Sequence, residues 1–143
     1  MKRTPLVRRT PLKRTPLKSK VNPTGPSQDV VDAVYERAKW SCESCGTGVG
    51  PKRGVDHHIH HRRPRASGGS SRPDTNLPPN LLLLCPPCHD ETESHRADAL
   101  RDGYLVPQCG GEPALIPVLI RRDRWLYLTA DGRYSPRPPG RTP

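Results

Sequence analysis

Apolar residues recur at helical spacing in an early stretch, SQDVVDAVYERAKWSC, residues 27–42. Val30, Val31, Val34 and Ala38 fall on one stripe, Ser27 is placed to cap the start, and acids come early. This predicts a helix that packs by that stripe. GVDHHIHH at 54–61 predicts a strand, and NLLLLC at 80–85 a short apolar strand or turn in the core. PPCHDETESHRADALRDG, 86–103, carries helix punctuation: Pro87 opens it, Asp90, Glu91 and Glu93 suit its positive end, Arg101 suits the other, and Gly103 stops it. Beyond it, ALIPVLI and RWLYLTADGRY read as short strands, with Asp131-Gly132 as a turn and Pro117 marking the first as irregular or edge. The expected fold is α+β, with a main domain over 27–106 and a short β segment over 107–134.

Proline changes the picture at both ends. The unit Arg-Thr-Pro-Leu occurs at 3–6, 9–12 and 14–17, and proline at that density blocks helix and favours extended chain. The uneven spacing excludes a solenoid. Residues 1–26 read as a basic, Pro-rich, disordered arm, and SPRPPGRTP, 135–143, as a disordered tail. Within 143 residues there are nineteen prolines, two Trp, four Tyr and no Phe, so the core is thin and a metal staple is expected.

Charge adds a partner class. The net charge is +10, and residues 1–20 hold eight Lys or Arg and no acid. Such an arm suits a polyanion, each phosphate contact releasing counterions; the plainer alternatives are a solvated tail or a targeting segment. No apolar h-region marks a secretory signal and no apolar run is long enough to span a bilayer, so the chain reads as soluble and cytoplasmic.

Five cysteines stand as two C-x-x-C pairs, Cys42/Cys45 and Cys85/Cys88, plus Cys109. That odd count in that pattern points to reduced thiolates on a structural Zn2+ rather than disulfides, and Cys109 receives no role. Between the pairs, VDHHIHHRRPR holds four of the six histidines. On a strand, His57, Ile59 and His61 share one face, while Asp56, His58 and His60 share the other. A metal ligand and a proton acceptor adjacent in sequence then point apart, unless a bend near Arg62-Arg63-Pro64 turns one.

CESCG, HHRRPRASGG, NLLLLCPPCH and ESHR together resemble the HNH nuclease family, in particular the small zinc-stapled HNH proteins of bacteriophages, over about 40–103. The resemblance implies a ββα-metal (His-Me finger) domain stapled by a four-cysteine zinc knot. It implies that His60 and His89 are ligands of a catalytic divalent ion (Mg2+, Mn2+, Ni2+ or Zn2+), that His61 is the general base, and that Asn80 holds the loop bearing that base. Asp56-His57 and His57-His58 are rival registers, and Asn76 rivals Asn80. His57 and His58 otherwise read as exposed or phosphate-facing. Some relatives carry a further histidine where this chain has Glu93, so the third ligand is Glu93, His95 or water. Arg62, Arg63 and Arg65, with Lys13 and Arg14 of the arm, are expected to grip double-stranded DNA. Phage relatives further imply genome packaging beside terminase and portal, in the host-cell cytoplasm. The rival classes are a non-catalytic zinc-finger-like DNA-binding protein and an HNH fold kept as an interaction module.

Overall fold

The structure is a computed structural model describing residues 25–65 and 70–140. Lys13 and Arg14, nearly all of the basic arm, and the last three residues of the tail lie outside the described residues.

Helix α1 runs Gln28–Ala38 and buries Val31, Val34, Arg37 and Ala38. It starts where expected, although Ser27 makes no side-chain cap, and it ends four residues earlier than the expected Cys42. Lys39 and Trp40 both turn left-handed, each with φ +52°. That double turn frees Ser41 to bridge Gly48 and lets Cys42 N–H donate to Thr47 O at 2.7 Å. The first cysteine pair needs this loop, and a continued helix would forbid it.

Strand β1 is His58–His61, shorter than the expected 54–61. Residues 54–57 form a turn: Gly54 has φ +83° and donates to His57 O, and Arg53 bridges His57. A 3-10 turn, Pro78–Asn80, leads into β2, Leu81–Leu84, which pairs antiparallel with β1 in the register His60 to Leu82 and His61 to Leu81. Helix α2, Pro86–Ser94, follows at once, opened by Pro86 with Pro87 at its second position. The single helix expected over 86–103 is broken at His95, where ψ is +60°, and resumes as α3, Arg96–Arg101. Gly103 is the stop: at φ +79°, a side chain there would collide with the carbonyl of Pro117.

The C-terminal segment forms an antiparallel meander of β3 (Val118–Ile120), β4 (Arg124–Leu128) and β5 (Tyr134–Ser135), after a 3-10 turn at Pro113–Leu115. Pro117 stands just outside β3, an edge strand, where its missing N–H costs no ladder bond.

All four leucines of β2 are buried, and alternation splits them. Leu81 and Leu83 pack with Val34 and Ala38 of α1. Leu82 and Leu84 pack with Cys42, Cys88, Ala99, Leu105, Val118, Ile120 and Leu128. Each buried leucine contributes roughly 1.5–3 kcal/mol. β2 is thus the spine, with α1 on one side and the cysteine loops, α3 and the C-terminal sheet on the other.

A buried polar tie crosses this core. Arg37 donates to both carboxylate oxygens of Glu43, at 2.8 and 3.0 Å, and to the carbonyls of Leu81 and Pro78. Glu43 also accepts from Leu83 N–H and from the Tyr134 hydroxyl, each at 2.7 Å. The residue inside the first cysteine pair therefore binds α1, β2 and β5 together.

Candidate metal centres

The four cysteines of the two pairs converge. Their sulfur atoms all lie within 4.8 Å of one another, and Cys45 Sγ is 3.8 Å from Cys85 Sγ. Four thiolates at ~2.3 Å from one ion in a tetrahedron would stand ~3.8 Å apart, so the cluster fits that geometry. Local backbone explains it. Gly46, at φ +81°, closes the first loop by donating to Cys42 O, while Cys85 stands at the cap of α2 and Cys88 in its first turn. Burial pushes the Cys42 thiol up to about 11 and Cys88 upward as well. Burial also pulls Cys45 upward, but hydrogen bonds with Thr47 outweigh it and bring that thiol down to about 6. Thiols so close together ionise jointly only beside a cation, which is what a structural metal supplies. Cys109 is exposed and lies outside this cluster.

The second cluster is built on β1 and α2. His60 is buried, and its Nε2–H donates to Tyr104 O at 3.0 Å, which leaves the Nδ1 lone pair free to coordinate. That Nδ1 lies 3.9 Å from Glu93 Oε1, and ligand atoms of His60, His89 and Glu93 all lie within 4.8 Å of one another. Glu93 is one helical turn beyond His89 on the same face of α2. His95, the other expected third ligand, is exposed at the break after α2 and is not in this group. Burial pushes His60 down to about 4, so it is neutral at pH 7. His58, two residues before His60 on the same face, stacks its ring on His89 at 4.4 Å.

His61 faces the other way. It is half-buried, and its Nε2 lies 3.0 Å from Asn76 Oδ1. An amide oxygen only accepts, so the proton sits on Nε2 and the Nδ1 lone pair is the proton acceptor. Burial lowers its pKa, the Asn76 bond partly opposes this, and Arg65 and Arg53 lower it further. Both histidines belong to β1, and no bend at the strand end turns either one. Asn80 is buried and its side chain bonds elsewhere than His61: its Oδ1 accepts from Arg63 N–H at 2.7 Å and its Nδ2 donates to Thr75 O at 2.8 Å. It ties the two ends of the loop from 62 to 80, while Asn76 on that loop meets the imidazole.

Three expectations are corrected. Arg62 is 0% exposed and cannot reach DNA. Its guanidinium donates to the carbonyls of Gly103, Pro79, Pro113, Ile116 and Pro117. Burial brings it down to about 9, with Arg37 adding to the shift. Arg63 is buried too, holding both oxygens of Asp74 at 2.9 and 3.1 Å and the carbonyl of Gly111. His57, expected at the surface, is fully buried between Tyr35 OH and Gly50 O, each at 2.8 Å. In each case carbonyls or neighbouring side chains take up polar groups that phosphate was expected to meet, with Arg63 Nε alone among the buried side-chain polar atoms of the described residues left without a hydrogen bond. Arg65 is half-buried at the loop edge, its charge felt by His61.

Sequence reasoning missed the Arg37–Glu43–Tyr134 tie, for which no periodicity gives a signal. It weighed Asn76 only as a rival for another position. Strand alternation sets His58 on the face of His60, but its stacking on His89 is a tertiary contact that alternation does not give.

Cysteine cluster, histidine triplet and the β1–β2–α2 run all lie within one stretch, and residues 42–95 match the family model described as HNH endonuclease. That segment, a little over a third of the chain, is thus similar to HNH endonuclease domains. No curated protein and no solved structure matches it. No helix among the described residues is long and apolar enough to cross a membrane.

Proposed function

We propose that this protein is a divalent-metal-dependent endonuclease that hydrolyses DNA phosphodiester bonds, by nicking or by double-strand cleavage. The observation that carries the reading is the opposed pair on β1. His60 is oriented by Tyr104 O towards His89 and Glu93, and His61 is oriented by Asn76 with Nδ1 as acceptor. In this reading β1, β2 and α2 form a ββα-metal unit, and the four cysteines hold a structural zinc that fixes α2 against the α1 end of the fold.

His60, His89 and Glu93 would hold the catalytic divalent ion, whether Mg2+, Mn2+, Ni2+ or Zn2+. When bound, that ion would supply charge stabilisation to the reacting phosphodiester. The rest falls to the chain's own groups. In this reading the scissile phosphodiester lies across the end of β1. His61 Nδ1 takes the proton of the water whose oxygen bonds to phosphorus as the P–O3′ bond breaks, and its low pKa keeps it neutral for that task. Asn76 holds the imidazole in the tautomer that can accept. Asn80, by closing the loop, keeps Asn76 in place. Arg65, with Lys13 and Arg14 of the arm, is left to contact the DNA backbone. Placement beside a phage terminase and portal, in a host cytoplasm, rests on the resemblance alone, and co-purification with those proteins tests it.

The deciding experiment is supercoiled-plasmid cleavage with added Mg2+, Mn2+ or Ni2+. The wild type is expected to cut, and His61→Ala to lose a factor of ~10²–10⁴ in rate while it keeps its metal content and DNA affinity. A fully active His61→Ala protein overturns the assignment of the base. Binding without cleavage under every metal favours the zinc-finger-like reading.

A further inference from the structure

The α1 face of β1 holds an aromatic group that the proposed reaction does not use. Trp40 is 45% exposed although it is one of only two tryptophans, and it stacks on Tyr35 with ring centroids 4.2 Å apart and planes 15° apart. Beneath them His57 sits edge-on to both rings, at 5.3 and 6.0 Å, and bonds Tyr35 OH at 2.8 Å. One face of the indole is covered by tyrosine, and the stack is locked from below by a fully buried imidazole.

Charge lies alongside. Arg53 bridges His57 through the backbone, is exposed, and forms no ion pair among the described residues. Its charge acts on both Tyr35 and His61, so it lies within electrostatic reach of the stack and of the proposed base. Lys39 and Lys52 are exposed neighbours. Of the nearby acids, Asp32 is held by Gln28 and the Asp56 carboxylate accepts from Lys52 N–H, while Glu36 is exposed on α1. His57 and His61 are four residues apart in extended chain, about 13 Å, the span of about two nucleotides.

We infer that Tyr35 and Trp40 form a stacking platform for an unpaired base of the substrate strand, with Arg53 on an adjacent phosphate and His61 farther along the same strand. Base stacking on aromatic rings beside a basic track is the common way single-stranded nucleic acid is held. The inference rests on the nuclease reading and adds a substrate feature: a frayed, flapped or otherwise unpaired strand near the cleavage point.

The test is a binding measurement on the full chain without added divalent ion, so that the strand stays intact. A Trp125→Phe background makes Trp40 the sole indole reporter. The probes are a single strand of about 12 nucleotides, the same strand with one abasic position moved along it, and the matching duplex. Trp40 emission is expected to be quenched by the single strand and to recover at one abasic position. Trp40→Ala is expected to weaken single-strand binding roughly 5- to 150-fold, with Trp40→Phe losing less. Arg53→Gln should lower the slope of log affinity against log salt by about 0.7.

Unmoved Trp40 emission, or undiminished affinity in a folded Trp40→Ala protein, overturns the platform. Quenching by duplex alone also overturns it, in favour of groove contact. If Trp40→Ala fails to fold, the emission of the unaltered tryptophan decides. Absence of binding to any of the three probes removes the nuclease reading as well. Binding and plasmid cleavage with silent Trp40 remove only the platform.

Discussion

Arg62 shows how one side chain changes role with its surroundings. It lies between a proposed base and other arginines in an open, polar stretch of sequence, where phosphate binding is the natural reading. In the fold it is withdrawn into the core, with its guanidinium donating to five carbonyls and no carboxylate. Those carbonyls come from the turn before β2, the stop after α3 and the approach to β3. Arg62 therefore fastens the end of β1 to the C-terminal segment. Arg62→Met is expected to destabilise the protein by ~3–5 kcal/mol in denaturant unfolding, because several buried acceptors lose their donor. Arg62→Lys should recover little, since an ammonium cannot span a fork of that width. DNA affinity of the folded fraction should stay unchanged, which separates this role from phosphate binding.

At the scale of elements, the end of α1 is the informative place. The segment read as helix runs on to Cys42, but the chain makes two successive left-handed residues, Lys39 and Trp40, after which the first cysteine loop begins. A left-handed non-glycine residue costs ~1–2 kcal/mol. Lys39→Gly is expected to raise stability by up to ~1 kcal/mol, read as a higher melting temperature, with metal content unchanged. A loss of stability would mean that the Lys39 side chain makes a compensating contact. The same loop explains why β1 is short. Residues 50–57 are used in turns that seat His57 between Gly50 O and Tyr35, so strand pairing begins only at His58.

At the scale of the whole molecule, the C-terminal meander is part of the core and not an appendage. Val118, Ile120 and Leu128 share a cluster with Leu82, Leu84 and two of the four cysteines, and Tyr134 completes the Glu43 tie. A chain ending after Val106, where the sequence places its domain boundary, is expected to lose cooperative unfolding and metal retention even though residues 42–95 are intact. A cooperative, zinc-retaining fragment would show that the family segment folds alone. The Arg37–Glu43 pair argues for the loss, because truncation removes the Tyr134 hydroxyl and leaves a buried carboxylate short of a donor.

Local rules carried a large part of this. Two C-x-x-C pairs, strand alternation that sets His60 and His61 on opposite faces, a helix opened by proline just before His89, and the spacing of His89 from Glu93 are all short-range features, legible because backbone periodicity acts over a few residues. The choice among Asn76 and Asn80, Glu93 and His95, or buried and exposed arginines was not legible. Each depends on which carbonyls and side chains a long loop brings beside a residue 15 to 55 positions away. Burial of charge is decided by those distant partners, so only the tertiary structure set Asn76 against His61, Glu93 beside His60 and His89, and Arg62 in the core.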